Sequence, residues 1–142
     1  MFKHILIPTD GSPLAELAVD RGIRLAAELH ARVTLLTVTQ PYQLAGIRPS
    51  MRADEYAPYA ERHGRELLAG GMALANFLGV QCDPIVVEDE QPYASVIDVA
   101  VSQDCDLIAM ASHGRRGISA YALGSQTQSV LTHSKVPVLV FR

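Results

Sequence analysis

The feature that most constrains the fold is a regular alternation of short apolar runs with longer segments of helical periodicity. Phe2 to Pro8 and Arg32 to Val38 are the first two runs, and both are rich in aliphatic residues. Between them, Ser12 and Pro13 supply a helix cap and a first helical residue, and the helical spacing of apolar residues continues to about His30. This alternation predicts an α/β domain whose parallel sheet is covered by helices on both faces.

The rest of the chain continues the same alternation. A long helical pattern runs from about Arg52 to Leu78, in which Gly70-Gly71 indicates a kink or a break. Cys82 to Glu88 is predicted to be an edge strand because Pro84 cannot donate to a ladder. The remaining predicted elements are a helix that begins at Pro92, a strand over Leu107 to Ala111, a short helix that ends at His133 and a terminal strand over Pro137 to Arg142.

The totals favour one folded domain and disfavour several classes of partner. Hydrophobic residues make up 49% of the 142 residues and charged residues only 19%, which is typical of a globular chain. The net charge is −3, and Arg115 with Arg116 makes no extended basic patch, so we expect no nucleic-acid surface. No apolar run reaches the roughly 20 residues of a membrane span, and no export signal is evident. We therefore expect a cytoplasmic protein that does not enter the membrane.

The two cysteines carry little functional signal. Cys82 and Cys105 are far apart in sequence and have no CxxC or Cys/His ligand spacing. This pattern favours free thiols in a reducing compartment over a metal site or a structural disulfide. A redox role has weak support.

The residues that could carry chemistry cluster where strands are predicted to end. Met110-Ala-Ser-His-Gly114 completes the fourth strand, and Gly124-Ser125 follows after nine residues. Glycine lets a backbone turn or approach a ligand, and Ser125 is a good cap for a helix whose free N–H groups form an anion site. Pro8-Thr-Asp-Gly-Ser12 places a carboxylate and two hydroxyls after the first strand. Since the carboxyl ends of parallel strands share one edge, these segments are expected to converge on a nucleotide.

Each of these residues also has a simpler interpretation. Glycine spacing alone leaves open a surface loop that Gly114, Gly117 and Gly124 merely punctuate. An aspartate after a strand, such as Asp10, often turns the chain or caps a helix. His113 suits a solvent-facing loop, and the arginine pair that follows it suits solvated charges as well as steering of phosphates. On composition alone, Val38 and Met110 read as core or rim residues.

Taken together, the motifs resemble the universal stress protein family, and specifically its ATP-binding branch. The resemblance covers essentially the whole chain. It implies a single domain over 1–142, with a Rossmann-like, open, twisted, five-stranded parallel sheet in the order 3-2-1-4-5. The segments that carry it are Ile5-Leu-Ile-Pro-Thr-Asp-Gly-Ser12, Leu36-Thr-Val38, Met110-Ala-Ser-His-Gly114 with Gly124-Ser125, and Val136-Pro-Val-Leu-Val140.

The resemblance also implies an adenine-nucleotide site, with ATP as its ligand. Asp10 and Val38 would contact the adenine side, and Pro8 and Thr9 would shape the same wall. Mg²⁺ or Mn²⁺ would be held through the phosphates, without a protein metal cage. The ribose and phosphates would be lined by Met110, Ala111, His113 and Gly114, and phosphate oxygens would be held by backbone N–H groups and hydroxyls of Gly124, Ser125, Gln126 and Thr127.

One position departs from the motif of the ATP-binding branch. That motif has three glycines, the last followed by Ser or Thr, and Gly114, Gly124 and Ser125 match it. Ala111 stands where the first glycine is expected. Because a methyl group could crowd a phosphate or the ribose, we expect weaker binding rather than none.

The favoured hypothesis is a nucleotide-dependent regulatory module of the stress response. ATP would order the loop between Gly114 and Gly124 and the segment from Pro41 to Ser50. A slow ATPase is an alternative, although the chain has no Walker motif and no evident base. A protein-interaction dimer that has lost nucleotide binding is another, and Ala111 is its support. The apolar strand from Pro137 to Phe141 predicts a homodimer that pairs through this strand.

Overall fold

The computed structural model describes residues 1–41, 52–114 and 122–142. Strands and helices alternate throughout these residues, as predicted from the sequence. The described elements are β1 (His4–Pro8), α1 (Pro13–Leu29), β2 (Arg32–Thr39), α2 (Ala53–Phe77), β3 (Cys82–Glu88), α3 (Pro92–Ser102), β4 (Leu107–Ala111), α4 (Ser125–His133) and β5 (Val138–Phe141).

The five strands form one parallel sheet in the order β3-β2-β1-β4-β5. This is the order that the resemblance implies. The chain builds outward from β1 to β3, then crosses to the other side of β1 and continues through β4 to β5. The strand order therefore reverses between β1 and β4, and a crevice is expected at the carboxyl ends of these two strands.

The sheet is covered on both faces, which explains why its strands are continuous apolar runs rather than alternating ones. Ile5 and Ile7 lie in the core cluster that β1 shares with α1 and α2. Leu6, between them, belongs to the opposite cluster, to which α3 contributes Val96 and α4 contributes Val130. Successive side chains of a strand point to opposite faces, so each central strand contributes to both cores.

The long helix α2 is continuous, and the break predicted at Gly70-Gly71 is wrong. A Cβ built on Gly71 would lie 2.7 Å from Leu35 Cδ1 and 2.9 Å from Val19 Cγ1. Glycine at this position therefore lets α2 pack closely on the sheet and on α1. The stabilisation from this tertiary packing outweighs the low helix propensity of glycine.

Three strands have bounds that differ from the predicted ones. β1 begins at His4 rather than Phe2, because the backbone N–H of Lys3 donates to the Asp106 carboxylate instead of to a neighbouring strand. β2 extends one residue beyond Val38, to Thr39. β5 runs over Val138–Phe141 rather than over Pro137 to Arg142, since proline has no N–H to donate.

The start of α4 also differs from expectation. Gly124 is the N-cap, and Ser125 is the first helical residue rather than the cap. At the start of α1, in contrast, Ser12 caps as predicted, and its Oγ accepts from the backbone N–H of Ala15. The sequence therefore located both helix starts, but it assigned the cap of α4 one residue too late.

Both edge strands of the sheet agree with the sequence. β3 is the edge next to β2, and the N–H of Val33 donates to the carbonyl of Gln81. The backbone N–H and carbonyl groups of the odd-numbered residues of β3 therefore point toward β2. The backbone of Pro84 points toward the outer edge, where the missing N–H costs no ladder hydrogen bond. β5 is the other edge, beside β4.

Two sequence predictions concern residues outside the described ranges. They are the loop from Pro41 to Ser50, apart from Pro41 itself, and the segment after Gly114 that includes Arg115, Arg116 and Gly117. In the described part of the chain, no helix combines the length and apolarity that a membrane span requires. Cys82 and Cys105 are free, and burial raises the pKa of each thiol to about 11, so both stay protonated at neutral pH.

Candidate functional site

A cleft of about 210 Å³ opens at the carboxyl ends of β1, β2 and β4, against the first turns of α3 and α4. This is the crevice that the reversal of strand order creates. The structure brings all of the sequence-predicted site residues into its lining: Pro8, Thr9, Asp10, Val38, Met110, Ala111, His113, Gly114, Gly124, Ser125, Gln126 and Thr127.

The turn after β1 is fixed by hydrogen bonds within itself. The Asp10 carboxylate accepts from the N–H of Ser12 at 2.9 Å, and the Thr9 hydroxyl accepts from the N–H of Gly11 at 3.1 Å. Gly11 has a φ of 78°, which a residue with a Cβ rarely adopts. Thr9 also donates its hydroxyl to Glu16 on α1. Asp10 is thus held at the cleft, while the polar groups of Thr9 are used inside the protein.

Gly114 faces Asp10 across the cleft. A Cβ added to Gly114 would overlap Asp10 Oδ2, so any other residue at this position requires the Asp10 side chain to shift. The contact joins the segment after β4 to the turn after β1. It brings together the two loops that the sequence motifs identified separately.

One wall of the cleft is apolar. It includes Val38, which is half-buried, and Met110, both expected from the sequence. Several lining residues were missed: Ala15, Leu36, Gln40, Pro92, Tyr93, Val96 and Val130. Leu36 could have been found, because it lies two residues before Val38 and shares its face of β2. The residues of α3 carried no such signal, because their approach to the cleft depends on how the helix packs.

The first turn of α4 forms another part of the lining. The N–H of Gly124 donates to the carbonyl of Ser112 at 2.7 Å, so this group is already used. The N–H groups of Ser125, Gln126 and Thr127 occupy the first three helical positions and have no acceptor among the described residues. Three donors at the positive end of a helix dipole form a site for an anion.

Two side chains of this turn bond to other parts of the protein. Thr127 is buried and donates its hydroxyl to the carbonyl of Ala111 at 2.8 Å, so the expected donation to a phosphate is replaced by an internal bond. Gln126 accepts the N–H of Tyr93 on its Oε1, also at 2.8 Å. These bonds tie the start of α4 to the end of β4 and to the start of α3.

Ala111 lines the cleft and also packs against α1. Ala111 is 6% exposed and clusters with Ala15 and Ala18 of α1. Along β4 it has the same parity as Leu107 and Ala109, which also face α1. The extra methyl group of this chain is therefore accommodated by the contact between β4 and α1.

The glycine after the loop is restricted by its neighbours. A Cβ on Gly124 would lie 3.0 Å from His113 Cα, a backbone atom. His113 itself is partly buried beside the cleft, and its Nδ1 lies 3.4 Å from the carbonyl oxygen of Gly114. Within the described residues, Asp10 is the only carboxylate of the lining, and no group of three or more potential metal ligands is found.

A model of the universal stress protein family matches residues 1–142, the whole chain. The chain belongs to this family. A universal stress protein of Bacillus subtilis, YxiE, is 30% identical over 149 aligned positions that cover both chains completely. Universal stress protein MJ0531 of Methanocaldococcus jannaschii is 28% identical, over 100% of this chain and 83% of that protein.

Solved structures agree with this family assignment. The structure of the hypothetical protein MJ0577 has a TM-score of 0.82 at 27% identity, with 99% and 95% of the two chains covered. A universal stress protein in complex with cAMP has a TM-score of 0.71 at 22% identity, with coverages of 99% and 97%. A family protein of Arabidopsis thaliana with AMP bound has a TM-score of 0.69 at 13% identity, with coverages of 98% and 90%. At these lower identities the likeness concerns the fold.

Proposed function

We propose that this protein binds an adenine nucleotide in the cleft, with ATP as the ligand, and acts as a nucleotide-dependent module of the stress response. The adenine lies toward Val38 and Asp10. The phosphates lie at the first turn of α4, and a Mg²⁺ or Mn²⁺ ion is held through them.

The observation that carries this proposal is the division of the cleft into an apolar and a donor-rich wall. Val38, which is half-buried, and the edge of Met110 supply apolar surface for a flat base, and the three N–H groups of the α4 turn supply donors for phosphate oxygens. An adenine nucleotide has the same division, with an apolar ring at one end and anionic oxygens at the other. The family members solved with cAMP and AMP add support for this class of ligand.

The position of Ala111 weakens the alternative of a family member without nucleotide binding. That alternative depended on a methyl group that crowds the ligand. Since the methyl group packs on Ala15 and Ala18, the departure from the glycine motif is compatible with an intact cleft.

The proposal is tested by calorimetry on nucleotide-stripped protein with ATP, AMP and GTP. We expect saturable binding of ATP and AMP and weaker binding of GTP, because adenine and guanine present different hydrogen-bond donors and acceptors on their ring edges. Absence of ATP and AMP binding contradicts the proposal. Following ADP in the same samples separates the module from a slow ATPase, which would release ADP steadily.

A matched pair of variants locates the site. Gly124→Val places a side chain against His113 and displaces the α4 turn, so we expect ATP affinity to fall about tenfold or more. Gly70→Val is the control, because a Cβ on Gly70 meets open space on α2. Equal ATP affinity in both variants would place the ligand elsewhere.

We also propose a homodimer that pairs through β5. Val138, Leu139, Val140 and Phe141 form a half-exposed edge strand, and Leu131 of α4 is 41% exposed. Val140→Lys should yield monomers in light scattering. A wild-type monomer at high concentration rules the interface out.

A further inference from the structure

His4 is a buried titratable residue at the amino end of the sheet, outside the lining of the cleft. Only 4% of the residue is exposed. Its Nε2 lies 2.8 Å from the hydroxyl oxygen of Thr34 on β2, whereas its Nδ1 has no hydrogen-bond partner among the described residues. One nitrogen of the buried ring is therefore left unsatisfied.

A second proton is unfavourable while this ring stays buried. The imidazolium carries an N–H on both nitrogens, and only Nε2 faces an acceptor, so a charge and an unpaired donor would lie in the core. Burial, followed by the charge of Arg32 on β2, lowers the pKa of His4. The backbone of Gln103, the Asp106 carboxylate and, from β3, Asp83 oppose this shift. The ring therefore takes up a proton more easily in water than in its buried position.

The segment that packs against His4 is the connection between α3 and β4, residues 103–106, which we call the α3–β4 turn. The N–H of Asp106 donates to the carbonyl of His4 at 2.9 Å, and the Asp106 carboxylate accepts the N–H of His4 at 3.0 Å. The thiol of Cys105, a buried residue, is hydrogen-bonded to the same Thr34 hydroxyl that meets Nε2. Release of this turn would bring the imidazole and the thiol to solvent without separating the strands.

The α3–β4 turn also contains a strained residue. The N–H of Cys105 donates to the carbonyl of Ala100 at 2.8 Å. The N–H of Asp104 donates to the carbonyl of Val101 at 3.1 Å. These are the two bonds of a Schellman motif, which requires a left-handed residue and usually has glycine there. Asp104 occupies that position with a φ of 54°, so the closed turn holds strain that opening releases.

We propose that His4 and the α3–β4 turn form an acid-sensitive switch, in which mild acid opens the turn, protonates His4 and exposes Cys105. The open form has its imidazole in water and binds a proton as the pH falls below the ordinary value of 6.5, before the closed form does. The fraction of open molecules therefore increases as the pH falls. The switch does not depend on the proposed nucleotide binding, since none of these residues lines the cleft.

Thiol labelling measures the opening directly. In Cys82→Ser protein, Cys105 is the remaining cysteine, and its reaction with dithiodipyridine reports how often it is exposed. Each rate is divided by the rate of the same protein unfolded in urea at the same pH, which removes the pH dependence of the thiol chemistry. Between about pH 7.5 and about pH 5.5 this ratio should rise up to about tenfold, as linkage to one proton predicts. A ratio that stays constant or falls overturns the proposal.

Two histidine variants in the same background identify the titrating group. His4→Gln keeps a side chain that can bond to Thr34 and removes the imidazole, so the labelling ratio should change by less than about twofold over this pH range. His133→Gln is the matched control, because His133 is exposed on α4, and it should keep the full rise. A full rise in His4→Gln would assign the opening to another group and refute the switch.

Amide hydrogen exchange of the unaltered protein separates local opening from global unfolding. The N–H groups of Cys105 and Asp106 are hydrogen-bonded in the closed turn. After correction for intrinsic exchange, their opening should increase up to about tenfold in mild acid and should be insensitive to low urea. The N–H of Leu6, in the central strand β1, should exchange far more slowly through global unfolding. Equal opening at Leu6 and Asp106 would show that only global unfolding occurs, which contradicts the proposal.

Variants of Asp104 test whether the turn is the segment that opens. Asp104→Gly removes the Cβ that makes a φ of 54° unfavourable, so labelling of Cys105 should slow severalfold at every pH while the rise in acid is kept. Asp104→Asn loses the same charge but keeps a Cβ, so it should label like wild type. If the glycine variant labels as fast as the asparagine variant, the thiol is exposed by a different movement and the proposal is wrong.

Discussion

The two ends of the parallel sheet differ in the hydrogen bonding of their polar groups. At the amino end, the Asp106 carboxylate accepts the N–H groups of Lys3 at 2.8 Å and His4 at 3.0 Å. His4, which is buried, also places Nε2 within 2.8 Å of the Thr34 hydroxyl. At the carboxyl end, the first turn of α4 leaves three N–H groups without an acceptor among the described residues.

The two ends of the sheet should therefore contribute differently to stability and to ligand binding. The Asp106 carboxylate and His4 Nε2 bond within the protein at the amino end, although the buried Nδ1 of His4 has no hydrogen-bond partner among the described residues. These bonds contribute to folding. At the carboxyl end, some side chains, such as Thr127, form hydrogen bonds within the protein that hold the cleft lining in place. Substitutions at the amino end should therefore change stability alone, whereas substitutions at the cleft should change affinity as well.

The largest expected effect on stability is that of Asp106→Ala. The change leaves two backbone N–H groups without their carboxylate acceptor, which should lower the free energy of unfolding by about 2 kcal/mol. Urea denaturation measures this loss. ATP affinity of the folded variant should match wild type, and a parallel loss of affinity would mean that the two ends are not independent.

Thr127→Val should act on both properties. Valine keeps the shape of the buried side chain but leaves the Ala111 carbonyl without its hydroxyl donor, at a cost of about 1 to 2 kcal/mol. The start of α4 loses an anchor, so ATP affinity should fall as well. Thr127→Ser retains the hydroxyl and should restore most of the affinity in calorimetry. A serine variant as weak as valine would show that the hydrogen bond is unimportant.

Ala111→Gly should have a smaller effect, limited to stability. The change restores the glycine of the family motif and removes a methyl group that packs on Ala15 and Ala18, which should cost about 1 kcal/mol. ATP affinity should change by less than about twofold, since the methyl group packs on α1. A large gain in affinity would show that the methyl group does crowd the ligand.

The smallest effect is a pH dependence confined to mildly acidic conditions. Burial and then the charge of Arg32 lower the pKa of His4 below its ordinary value of 6.5, although Asp106 and Asp83 oppose this shift. The unfolded chain therefore takes up a proton before the folded protein does, and stability should fall as the pH drops below 6.5.

Replacing His4 with glutamine tests whether this histidine causes the loss of stability in acid. His4→Gln should retain a bond to Thr34 and reduce the acid loss of stability in denaturation curves at several pH values. The control is His133→Gln, an exposed histidine of α4, which should keep the wild-type profile. An unchanged profile in His4→Gln would assign the acid sensitivity to other groups.

Much of the fold could be predicted from the sequence because strand and helix periodicities are local. The strand over Cys82–Glu88 and its edge position followed from a short β-rich run with Pro84. The break expected at Gly71 was wrong, because that expectation considered the helix alone. The close contacts of Gly71 with Leu35 and Val19 exist only in the folded protein.

The candidate site divides in the same way. The sequence by itself determined which segments meet. The carboxyl ends of parallel strands share one edge, and Pro8 to Asp10, Val38 and Met110 to Gly114 all lie at or directly after such ends. Only the tertiary structure decided what each group does there. The Thr127 hydroxyl donates to the carbonyl of Ala111, and Gln126 Oε1 accepts the N–H of Tyr93. In both bonds the partner belongs to an element distant in sequence. No local pattern encodes those distances.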